Sequence, residues 1–131
     1  MLTKLFSLAF LSALFTLHGD VDPELLIGTW KFTYHEENNL VIDGTSVYNP
    51  DGTFTGHGTV TIKDELVEEF ETRGTWSIEG RTLTYIGKFV NQPDHPLNGK
   101  PITAEILSMT KDVYYYRGED GKVRHETRIQ N

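Results

Sequence analysis

The 131-residue chain contains no cysteine. That excludes disulfide staples, thiolate zinc sites, a catalytic thiol and a lipid-modified N-terminal cysteine. Positive charge is scarce as well: 12 Lys and Arg stand against 19 Asp and Glu, a formal net charge of −7. A surface of that sign repels phosphate backbones and anionic membranes, so nucleic acid is not an expected partner. Helical periodicity of useful length is missing after residue 27. The apolar run from Leu5 to Leu17 is interrupted by Ser7, Ser12 and Thr16, and falls short of the roughly 20 apolar residues a membrane span needs. With Lys4 before it and a break at His18-Gly19-Asp20 after it, the run has the layout of a secretory signal peptide. Residues 1–19 are therefore expected to be removed on export. Residues 20–131 would remain as one domain with no membrane span, secreted or periplasmic.

What the chain has in plenty is alternation. The tripeptide Gly-Thr-Trp occurs twice, as Gly28-Thr29-Trp30 and Gly74-Thr75-Trp76, each inside a stretch of apolar and polar residues in turn. That is the period of a half-buried β-strand. Trp30, Phe32 and Tyr34 share one face, as do Phe70, Gly74, Trp76 and Ile78. A glycine on the inner face leaves room for a bulky ring to fold over the strand. After one short capped turn at Asp20–Glu24, strands are expected over 27–35, 40–48, 53–62, 66–78, 82–90, 102–109, 112–117 and 122–130. Asn49-Pro50-Asp51-Gly52 is a strong turn signal. Three prolines between Asn91 and Pro101 mark an ordered loop rather than a central strand. Eight strands with short connections can close on themselves, and closure removes exposed edges. The expected fold is all-β, an eight-stranded antiparallel up-and-down barrel, with a two-sheet sandwich as the competitor.

If the strands alternate direction, Trp30 and Trp76 both fall at the end with the tight turns and floor the barrel there. The opposite end carries the loop 91–101 and is where a cavity would open. Parity places Phe32, Tyr34, Ile62, Glu68, Phe70, Tyr85, Phe89, Tyr115 and His125 on its lining, with Val60, Ile106 and Val123. An apolar wall with a few phenols and an imidazole suits a small, mostly hydrophobic ligand held by one or two hydrogen bonds. The same side chains would serve equally as packed core.

Leu26-Ile27-Gly28-Thr29-Trp30-Lys31, Asn49-Pro50-Asp51-Gly52-Thr53-Phe54 and the segment from Gly74-Thr75-Trp76 to Leu83-Thr84 resemble the lipocalin superfamily, most closely small bacterial lipocalin-like domains. The resemblance implies transport or sequestration of a small apolar molecule, or binding of another protein at the barrel mouth. In lipocalins an Arg near the end of the last strand packs across the first-strand Trp, and Arg128 matches it by position. Simple alternation, however, places Lys122, Arg124, Glu126 and Arg128 outside and Val123, His125 and Ile129 inside. The long first loop and trailing helix usual in lipocalins are absent from the pattern.

His35 and His57 are expected to point outward, His95 to sit in the long loop, and His125 alone to point inward. No histidine pair has trustworthy ligand spacing, so no metal or cofactor is implied, and no catalytic residue is assigned. Three functional readings follow, in order of preference. The first is an exported binder of a small hydrophobic ligand. The second is a protein-binding or inhibitory module with a filled barrel, acting through its outward loops, chiefly 91–101. The third is an enzyme in which Glu68, His125 and a tyrosine converge.

Overall fold

The computed structural model describes residues 19–130. The expected export signal over residues 1–19 lies outside them, apart from Gly19. Eight strands form a closed, all-antiparallel barrel in which each strand pairs with its sequence neighbour and the last returns to the first. They are β1 (Gly28–His35), β2 (Leu40–Tyr48), β3 (Thr53–Ile62), β4 (Glu65–Glu79), β5 (Thr82–Phe89), β6 (Ile102–Met109), β7 (Val113–Gly118) and β8 (Val123–Arg128). Closure through β1 and β8 decides against the sandwich. A 3-10 turn, Pro23–Leu26, precedes β1. Asp22 caps it by accepting from the Glu24 amide at 3.0 Å, and proline begins it, where a missing N–H costs nothing.

That turn lowers Leu26 into the mouth of the tight-turn end. Leu26, Trp30 and Ile106 are fully buried there, packed with Tyr48, Leu83 and Tyr114. The Trp30 indole N–H donates to the Leu26 carbonyl at 2.7 Å, and its ring meets Tyr114 edge-on at 4.8 Å. Trp76, half-buried, donates to the Asn49 carbonyl at 3.1 Å and abuts Tyr48. Both tryptophans therefore belong to the floor, and the densest core lies at this end.

Inward glycines face each other across strands: Gly44 opposite Gly58, and Gly74 opposite Gly87. The rings they accommodate come from nearby strands, Phe32 directly opposite Gly44 and Phe70 directly opposite Gly58. Phe32 lies over Gly44, Phe70 over Gly58 and Phe54 over Gly87. At Gly74 there is no space for a side chain at all, since a Cβ would fall 1.9 Å from the Ile86 carbonyl oxygen.

The last two strands run with the opposite parity to the one expected. β7 turns Tyr114 and Tyr116 inward and Tyr115 outward, 42% exposed. β8 turns Arg124, Glu126 and Arg128 inward, leaving Val123 52% exposed and His125 outside. Register decides this. Arg128 is opposite the buried Trp30, and Glu126 opposite the buried Tyr114. Counting apolar residues favoured Val123 and Ile129 as the inner set, but inward charges are tolerated when each has a partner. Arg128 donates to the carbonyls of Leu25 at 2.5 Å and Ile27 at 2.6 Å and to that of Lys111, with its guanidinium 4.4 Å from the Trp30 ring centroid. Plain alternation thus produces the Arg–Trp contact, with no bulge in β8.

Arg128→Ala is expected to destabilise the protein by about 2–4 kcal/mol, since it strips three carbonyls of their donor and uncovers the indole face. Arg128→Lys should recover only part, because an ammonium cannot reproduce the planar fork. Urea unfolding followed by tryptophan emission reads both; an Arg128→Ala loss below about 0.5 kcal/mol would refute this role.

Candidate functional site

Above the floor the interior changes character. Two of the seams between strands are incompletely zipped, and each leaves a hollow. β5 and β6 hold only four register pairs, ending at Tyr85 opposite Ile102. Beyond them, Ile86 to Phe89 have no β6 partner, and the loop 90–101 bends over the gap. It is held by Gly99 N–H donating to the Gly87 carbonyl at 2.9 Å, and by Asn98, whose side chain accepts from the Phe89 amide and donates to the Gln92 carbonyl, both at 2.8 Å. His95 stacks on Phe89 with centroids 4.0 Å apart. Beneath lies a mostly apolar cavity of about 190 Å³, lined chiefly by Phe54, Tyr85, Gly87, Phe89, Leu97 and Ile102.

The second incomplete seam is β1 with β8, paired only at Trp30–Arg128 and Lys31–Thr127. Toward the loop end the two strands diverge around a polar hollow of about 160 Å³ that includes Tyr34, Glu36 and Arg124. Side chains bridge it. Glu36 accepts from Arg124 at 2.8 Å and from Lys122 at 3.2 Å, and Arg124 also reaches Asp120 at 2.7 Å. Hydrogen bonds from Arg124 hold the Asp120 carboxyl down to about 2, and lower that of Glu36.

On β8, Glu126 is buried, 5% exposed. The Tyr34 hydroxyl donates to its Oε2 at 2.8 Å, and Tyr116 in turn donates to Tyr34. The other oxygen, Oε1, has no hydrogen-bond partner among the described residues. Tyr114 stands opposite in register, and its hydroxyl, like that of Tyr34, favours the charged form of the carboxyl. Burial pushes the Glu126 carboxyl up to about 7, with the tyrosine hydroxyls pulling the other way. Burial first, and the Glu126 charge second, raise the hydroxyls of Tyr34, Tyr85, Tyr114 and Tyr116 above the ordinary phenol value. All four remain neutral donors at physiological pH.

Of the residues expected on the lining, Phe32, Tyr34, Phe70, Tyr85 and Phe89 face the interior, and Tyr85 and Phe89 border the apolar cavity. Ile62 sits exposed on the rim. Glu68 is exposed and accepts from Gln92 Nε2 at 2.6 Å, which makes it a tether for the loop rather than a buried acid. Tyr115 and His125 pair on the outer wall, centroids 5.1 Å apart. Glu68, His125 and a tyrosine therefore do not converge, and the enzyme constellation is not assembled. Glu126, Tyr116 and Arg124 were missed. Parity assigned them to the outside, and only the Trp30–Arg128 register would have shown otherwise.

No family model matches the chain, and no curated protein matches it. Among solved structures, a redesigned beta barrel, b11L5F_LGL, is similar with a TM-score of 0.53 at 18% identity, over 82% of this chain and 94% of its own. EF1p2_mFAP2b bound to DFHBI is similar with a TM-score of 0.51 at 17% identity, over 81% of this chain and 95% of its own. At such identities the likeness is one of fold.

Glu126 also sets a pH dependence. Its folded value lies above that of an unfolded carboxyl. Its contribution to stability is therefore fully present below about pH 4.5 and lost as pH rises through about 7. Glu126→Gln should remove that loss. Between pH 5 and pH 8 the variant is expected to gain about 2–3 kcal/mol relative to wild type. Denaturant midpoints at the two pH values measure it, and parallel profiles would show that Glu126 is not held protonated by burial.

Proposed function

We propose that the protein is an exported, lipocalin-like binding protein that holds a small, mostly hydrophobic ligand in the loop-end half of its barrel. The observation that carries this reading is the apolar cavity of about 190 Å³ under loop 90–101. Ordinary ligand pockets run to roughly 300–1,000 Å³, and a dry apolar cavity of about 150 Å³ takes up benzene. The cavity therefore suits a one-ring molecule, or one end of a longer chain. The Arg128–Trp30 contact supports the lipocalin-like assignment, because it occupies the position that the resemblance implies. One barrel of similar fold is described as bound to DFHBI, which supports a ligand in this architecture. Export as a secreted or periplasmic protein rests on the charged start and apolar run of residues 1–17.

A second reading has an observation of its own. Ile62, Leu66, Val67, Val90 and Leu97 are all exposed at the loop end. An apolar rim of that kind suits a protein partner engaging the mouth and loop 91–101.

Titration with short-chain fatty acids, single-ring aromatics and a hydrophobic dye, followed by tryptophan and tyrosine fluorescence, separates the two. Saturable binding is expected, weakened at least tenfold by Ile102→Trp, which fills the cavity from its β6 side. A flat titration across the panel would discard the ligand reading and move attention to the rim.

A further inference from the structure

The apolar cavity under loop 90–101 has a single charged residue on its wall. Besides the apolar side chains already described, its lining includes Thr72 and Lys88, and no carboxylate. Lys88 is an exposed residue near the end of β5, past Tyr85 opposite Ile102, where the β5–β6 ladder stops. Among the described residues it takes part in no salt bridge. Tyr85 shares the same lining, and the hydroxyl chain from Tyr116 through Tyr34 to Glu126 does not include it.

Cations gather around this stretch of β5. In the β4–β5 register Lys88 lies directly opposite Arg73. Among the described residues this is the one ladder position in the barrel where two like charges face each other. Such a cross-strand pair is unfavourable. Glu71 relieves Arg73, at 3.3 Å, and leaves Lys88 unpaired. Lys100 follows Gly99, whose N–H donates to the carbonyl of Gly87, the residue before Lys88. The chain as a whole carries a net charge of −7, which opposes an anion at long range. At physiological ionic strength, however, exposed charges more than about 8 Å away are largely screened, so the adjacent cations decide.

A neutral one-ring molecule would fill the cavity and leave Lys88 unanswered. A carboxylate on the same ring would answer it, since a charge-assisted hydrogen bond is about twice as strong as a neutral one. We propose that Lys88 is a recognition group for this cavity, and that the ligand is a small aromatic or short-chain acid whose carboxylate meets the Lys88 ammonium while its apolar part lies among Phe54, Phe89, Leu97 and Ile102. This rests on the ligand-binding reading above and narrows it to a chemical class.

The test titrates the full chain at pH 7.5 by isothermal titration calorimetry with toluene, benzamide, benzoate and benzylamine. Toluene reports on the apolar cavity alone. Benzoate is expected to bind at least fivefold more tightly than benzamide, its neutral counterpart of the same shape, with benzylamine the weakest of the polar three. Lys88→Met removes the charge and keeps most of the stem. It should bring benzoate to within twofold of benzamide and leave toluene affinity within twofold of wild type, whereas Lys88→Arg should keep the preference. The wild-type ranking stands by itself should a variant fail to fold. Benzamide binding as well as or better than benzoate, with toluene still bound, would overturn the proposal and leave the ligand reading in place. A benzoate preference retained in a folded Lys88→Met protein would overturn it too. No binding by any probe would remove both this proposal and the ligand reading beneath it.

Discussion

Arg128 across Trp30 is the contact on which the rest of the barrel depends. Every other strand pairing joins neighbours in sequence. The β1–β8 seam alone joins the two ends of the fold, and it does so with two register pairs. So short a ladder is a weak clasp by itself. The guanidinium strengthens it by tying β8 to the carbonyls of Leu25 and Ile27 around the 3-10 turn and to Lys111 before β7, while its flat face covers the indole. One side chain thereby fixes the seam, the floor and the parity of β8. Once Arg128 is inside, Glu126 and Arg124 must be inside as well, because side chains repeat every second residue.

The polar chemistry of the interior is a consequence of that parity. A strand that puts alternating arginine and glutamate into a barrel creates charges that must each be answered locally. The two arginines are answered by carboxylates, carbonyls and an aromatic face. The glutamate is answered on one oxygen only.

Most of the architecture was legible in the sequence. Strand positions, the closed barrel, the tryptophan floor and the ordered loop at the opposite end all follow from period-2 alternation, Asn49-Pro50-Asp51-Gly52, and the prolines after Asn91. Side-chain facing in β1 and β5 was legible too, because Trp30, Phe32 and Tyr34, or Leu83, Tyr85 and Phe89, contrast sharply with their neighbours. β7 and β8 offer no such contrast. Tyr114-Tyr115-Tyr116 reads the same in either parity. In β8 the apolar Val123 lies outside and charged residues inside, so hydrophobicity points the wrong way. Strand pairing, a non-local fact, resolves both. Glu68 keeps its expected register opposite Val60, and it is exposed because it lies close to the loop-end start of the long strand β4.

The two-pair seam also bears on how the molecule assembles. Seven of the eight pairings can form as successive hairpins, each closing a short stretch of chain. The Arg128 bonds to Ile27 and Leu25 instead span 101 and 103 residues, and the length-dependent entropy of closing a loop that long is on the order of 4 kcal/mol. The seam is therefore the last part to form and the first to open. Until it closes, the chain is a curled sheet with β1 and β8 as bare edges, open to pairing with another copy. In that interval the arginine acts less as a brace than as a latch that decides whether the sheet meets its own end or a neighbour's.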